Sequence, residues 1–98
     1  MASDSDSGDY EFIIKCVTDE EMYNQCMTHQ LTKERLYTIL ENLDDRTLLN
    51  FCQFNKKSHN ICMHEPLWET RYHRRIGISY KPMHMTWRKY YLTELSRR

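Results

Sequence analysis

"LTKERLYTILENLDD", residues 31–45, carries leucine or isoleucine at positions 36, 39, 40 and 43. Those positions are i, i+3, i+4 and i+7, so the four side chains fall on one stripe of a helix with 3.6 residues per turn. Leu31 precedes a candidate N-cap, Thr32. Leu36 then stands at the fourth helical position, the arrangement of a hydrophobic staple. The fold turns on what covers this stripe, the chain's own core or a partner.

The pattern continues downstream. Asp44 can cap a second helix, with Leu48, Leu49 and Cys52 on its inner face and Phe51 to the side. Asn55 can cap a third, to which Ile61 and Cys62 contribute the apolar groups. Pro66 suits the first turn of a fourth helix, where its missing N–H is not needed. Leu67, Trp68 and Tyr72 supply that helix's apolar side, and Gly77 can end it. "ISYKPMHM" (78–85) reads as a loop. Thr86 then caps "WRKYYLTELSRR" (87–98), in which Trp87, Tyr91 and Leu95 recur every four residues.

Upstream the signal is weaker. Residues 1–9 read as a disordered acidic tail. "YEFIIKCV" (10–17) is too short to classify by period and fits either a strand-like arm or the start of a helix. In "TDEEMYNQCMTHQ" (18–30), Thr18 and Glu21 have capping-box spacing, and Met22 and Cys26 share a face. The expectation is a small all-α domain of five or six short capped helices, with Trp68 anchoring the core. It divides into the tail 1–9, an N-terminal arm or helix 10–30, a central motif 31–68 and a C-terminal helical extension 69–98.

Composition supports this class. The 98 residues are 40% hydrophobic and 29% charged, with two glycines and two prolines, too few for a turn-rich β sandwich. There is no apolar run long enough to cross a bilayer, so no membrane association is expected. The acidic N-terminus lacks the basic and apolar regions of a secretory signal, which points to a cytoplasmic or nuclear protein. Net charge is zero but uneven. Residues 1–50 hold 11 acids and 4 bases, net −7, and residues 51–98 hold 3 acids and 10 bases, net +7. The bases come as scattered pairs without a nucleic-acid-binding signature, so solvated helix faces account for them and no nucleic-acid partner is expected.

Cysteines stand at 16, 26, 52 and 62, a Cys-x9-Cys spacing twice. This spacing resembles the twin motif of disulfide-locked helical hairpins of the mitochondrial intermembrane space, in which two helices are stapled face to face. A metal reading would use Cys26 with His29 and Cys62 with His64, without paired short-spaced ligands. The favoured expectation is four reduced thiols acting as small apolar groups. None of the five histidines lies in a motif that fixes a catalytic pair, so neither an enzyme nor a cofactor is expected.

The residues from Leu31 to Trp68 resemble an F-box without a gap. Leu31, Glu34, Leu36, Ile39, Leu40, Leu43, Leu48, Leu49, Asn55, Lys56, Ile61, Leu67 and Trp68 stand in the register of that family. Thr32 departs from its proline, Phe54 from its valine and Ser58 from its aromatic. The "LW" and the later "TWRKYY" are similar to the extension after many F-boxes, including the F-box-like part of elongin A. The resemblance implies a non-catalytic adaptor that binds a Skp-type protein and, through it, a cullin–RING ubiquitin ligase. It could deliver an unknown target protein or act as a competitor. The residues implied to meet that partner are Leu31, Thr32, Leu36, Ile39, Leu40, Leu43, Leu48 and Leu49. An elongin B–C binding module is the alternative, for which Met22, Cys26 and Gln30 offer a degenerate motif.

Overall fold

The computed structural model describes residues 2–78 and 80–97, with the backbone course alone for residues 2–7. Seven helices follow one another: α1 (Ala2–Thr18), α2 (Glu20–Thr28), α3 (Gln30–Asn42), α4 (Asp45–Cys52), α5 (Lys56–Ile61), α6 (Glu65–Arg75) and α7 (Trp87–Ser96). No strand occurs among the described residues, so the domain is all-α as its pattern predicts.

Four of the predicted helix starts are made by the expected groups. The Asp44 carboxylate accepts from the Thr47 N–H, and the Asn55 side-chain amide oxygen accepts from the Ser58 N–H at 2.8 Å. Ser58 Oγ in turn accepts from the Asn55 N–H, so this short helix opens on a complete capping box. Pro66 lies in the first turn of α6, and the Thr86 hydroxyl accepts from the Lys89 N–H. Gly77, at φ 133°, ends α6 in the left-handed region, and its N–H bonds to the Tyr72 carbonyl at 3.0 Å.

The other two starts differ. Asp19, not Thr18, caps α2, accepting from the Glu21 and Met22 N–H groups. Thr18 is still inside α1, and its hydroxyl bonds back to the Ile14 carbonyl at 2.9 Å. Helix α3 starts at Gln30, before Thr32, with His29 at its N-cap position. Leu31 therefore falls within the first turn and is 71% exposed, so it makes no staple with Leu36. Met1 of the expected tail lies outside the described residues, and the rest of the tail and the 10–17 run are continuous in backbone. From Ala2 to Thr18 the backbone forms one helix. Helix α6 likewise runs through the division expected after residue 68, and the described residues share one core.

That core is built around Leu36, Leu40, Leu48, Phe51, Leu67 and Trp68, none of them exposed. Ile13, Cys16 and Val17 of α1 enter the same cluster, and the Asn55 side-chain amide ties α1 to α5 by donating to the Val17 carbonyl at 2.9 Å. Phe51, expected to the side, is fully buried, while Leu49 is half-buried. The Trp68 indole N–H donates to the Cys62 carbonyl at 2.6 Å, so its one polar group is satisfied inside. Helix α7 closes the far side. Tyr90 stacks on Tyr72 with centroids 4.7 Å apart, and Tyr91 packs on Trp68 at 5.7 Å.

The cysteines overturn the expectation of free thiols. Cys16 bonds Cys26, and Cys52 bonds Cys62. On one unbroken helix, residues ten apart lie about 15 Å from each other. Here the chain breaks at Asp19 and again at Gln53–Asn55, and each segment folds back. The Cα atoms come to 6.1 and 5.7 Å, within disulfide range. Each bridge closes its own Cys-x9-Cys segment, so the face-to-face staple across two long helices is also not the pairing found. No helix among the described residues is long and apolar enough to cross a membrane.

Candidate partner-binding surface

The stripe with which the sequence began points inward. Leu36, Leu40 and Leu48 are completely enclosed, and Ile39 is 8% exposed. The resemblance implies that the stripe is partly internal and partly turned to a partner; in the free chain these four side chains lie in its own core. Helices α2 and α6 pack on α3, and α1 adds Ile13, Cys16 and Val17 to the same cluster, side chains that the 10–17 run was too short to announce. Of the eight implied contact residues, Leu31 is exposed, while Thr32, Leu43 and Leu49 are half-buried.

Leu43 opens onto a groove of about 840 Å³ between α1, α3 and the start of α4. Tyr10, Ile14, Ile39 and Leu43 give it an apolar floor, and Asp9, Glu11 and Asp44 stand among its polar lining. Asp44 is held below the usual carboxylate range by hydrogen bonds from the Thr47 hydroxyl and N–H. Asp44 therefore keeps its charge further into acid than a free carboxylate does. Sequence reasoning found Ile39 and Leu43 from their helical period but missed Tyr10 and Ile14, since eight residues do not resolve a period.

The charged residue with the deepest burial is Arg71, 1% exposed on α6. One of its terminal nitrogens donates to the carbonyls of Leu40, Glu41 and Leu43, at 3.0, 3.0 and 2.6 Å. These are carbonyls at the end of α3, where orphan acceptors carry partial negative charge. The other terminal nitrogen meets Asp45 at 2.6 Å, and the Tyr91 hydroxyl donates to the same carboxylate. Burial alone would raise Asp45, but the bonds from Tyr91 and Arg71 outweigh it and hold the group below the usual range. Burial and the bond to Asp45 push Tyr91 up to about 12. Both terminal nitrogens of Arg71 are bonded while its buried Nε has no partner, and the arrangement joins α3, α4, α6 and α7.

On another face, His64 stacks on Tyr37 with centroids 4.1 Å apart. Burial, then the nearby Lys33, lowers the His64 pKa. Cys26 and Cys62, the thiols of the metal reading, are both in disulfides, and among the described residues no three His, Cys, Asp or Glu side chains converge on a metal position. Comparison with protein-family models, curated proteins and solved structures finds no match.

Proposed function

We propose that the protein is a non-catalytic adaptor of the F-box kind, which binds a Skp-type protein and links or competes for a cullin–RING ligase in the cytoplasm or nucleus. The observation that carries this reading is the gapless register from Leu31 to Trp68. The succession of α3, α4, α5 and the start of α6 over those residues supports it. Because Leu36, Leu40 and Leu48 sit in the core, docking draws on the rim of the stripe: Leu31, Thr32, Leu43 and Leu49. Burying a leucine contributes about 1.5–3 kcal/mol, so a few such residues decide the affinity.

Titration of the full chain with purified Skp-type adaptor tests this, with purified elongin B–C in parallel. The wild type should bind the adaptor at micromolar concentration. Leu31→Asp, which places a carboxylate at an exposed position, should weaken binding at least tenfold while circular dichroism stays unchanged. Absence of adaptor binding by the wild type refutes the reading. Preference for elongin B–C would replace it, although Cys26 of the degenerate elongin motif is enclosed and disulfide-bonded.

A second reading is favoured by the two bridges, which persist in oxidising surroundings. In it the chain is a disulfide-locked helical module of such a compartment. Thiol labelling of protein from fractionated cells separates the two, since a cytoplasmic pool would react with the label and an oxidised one would not.

A further inference from the structure

We propose that the groove between α1, α3 and α4 receives the 78–85 loop of a second copy of this chain. This does not rest on the adaptor reading. Three large apolar side chains of the loop project almost completely into solvent: Ile78 at 90%, Tyr80 at 97% and Met83 at 99%. Exposed apolar residues are ordinary when single, but three within six positions form a patch that water disfavours. Lys81 sits among them, 6.0 Å from the Trp87 ring, whereas Arg74 and Arg75 on α6 are engaged by Asn42 and Asp45 of their own molecule. The loop is thus apolar with one base, Lys81.

The groove is its chemical complement. Its floor is apolar, and although Asp9 of its lining meets Arg35 at 3.9 Å, Glu11 and Asp44 add two further carboxylates. Each face is also part of a longer asymmetry, −7 over residues 1–50 and +7 over residues 51–98. With zero net charge overall, two copies meet without general repulsion, and the acidic half of one attracts the basic half of the other. Made reciprocally, the contact closes a dimer. Made once per molecule, it starts a chain.

Sedimentation velocity of the full oxidised chain over a range of concentrations tests this. The average mass should rise with concentration at about 0.1 M ionic strength. It should fall back toward the monomer at about 1 M, where the screening length shrinks from about 10 to about 3 Å. Glu11→Lys alone and Lys81→Glu alone should each weaken association by about tenfold or more, because like charges then face each other. Mixing the two variants should restore it, since the reversed groove of one suits the reversed loop of the other. All these positions are on the surface, so circular dichroism should not change. A monomer at every concentration overturns the proposal. So does association that strengthens with salt, or that ignores both reversals, because another face would then be responsible.

Discussion

Arg71 on α6 holds Asp45 at the start of α4 at 2.6 Å, while its other terminal nitrogen closes the end of α3. One guanidinium thus fixes the α3–α4 turn, where the stripe changes direction. Asp45→Asn would leave a charge that is 1% exposed with three carbonyls but no counter-ion. Removing one partner of a buried pair costs about 3–5 kcal/mol, and the remaining carbonyls place this case near the lower figure. Arg71→Met, which removes the charge and keeps the stem, should cost less than Asp45→Asn if desolvation dominates. Urea unfolding of both variants checks the order.

The same network sets a pH window. Asp45 titrates lower in the folded chain than in the unfolded one, near 3.9. Its stabilisation is therefore complete above about pH 4 and lost as pH falls through the folded value. Tyr91 is raised from 10.0 to about 12, so its contribution is complete below pH 10 and lost as pH rises from there to about 12. His64 is lowered, so the unfolded chain takes up a proton first, and stability declines as pH drops below about 6.5. Melting temperature against pH should show these limbs. Tyr91→Phe should flatten the alkaline limb, and an unchanged limb would mean the Asp45–Tyr91 bond does not contribute.

The burial of the stripe gives a sharp mutational test. Leu36→Asp with Leu40→Asp puts two carboxylates at positions with no exposed surface. Neither has a partner there, and the desolvation cost exceeds the 5–15 kcal/mol that typical domains possess only if both remain charged and buried. The free chain should therefore lose its helical signal even without a partner. Retention of helicity would place the stripe outside the core. Trp68→Ala should cost about 3–5 kcal/mol by leaving a cavity and an unpaired Cys62 carbonyl.

Much of this was legible in the sequence, for physical reasons. Caps such as Asp44, Asn55 and Thr86 act within three residues, so local spacing reveals them. Trp68 was readable because a side chain that large has few places to go in 98 residues. The inward aim of the Leu36 stripe was not, since a helical period shows that a face is apolar but not what covers it. Part of the shared core, Ile13 and Val17 of α1, lies about twenty residues upstream in a run without a readable period. The groove, which needs α1 beside α3, was hidden for the same reason. Nothing local marks Arg71 for burial, which depends on carbonyls 28 to 31 residues away.

Spacing alone does not announce the bridges, because their closure depends on where the helices break, and Asp19 rather than Thr18 makes the first break. Each encloses about ten residues, for which loop-closure entropy gives about 2.7 kcal/mol of stabilisation. The two need not act alike. Cys16–Cys26 joins α1 to α2, and α1 covers the core from outside. Cys52–Cys62 joins α4 to the end of α5, and the Cys62 carbonyl also receives Trp68. Replacing Cys16 and Cys26 by serine should release α1, expose Val17 and Ile13, and raise hydrogen exchange in α1 and α2 while α6 and α7 stay protected. Replacing Cys52 and Cys62 should loosen the Trp68 site and lower the global melting temperature. Equal exchange in all helices for both variants would mean that the chain unfolds as one unit and that α1 is no more separable than the centre. Four reactive thiols in unreduced wild-type protein would mean that neither bridge forms in solution.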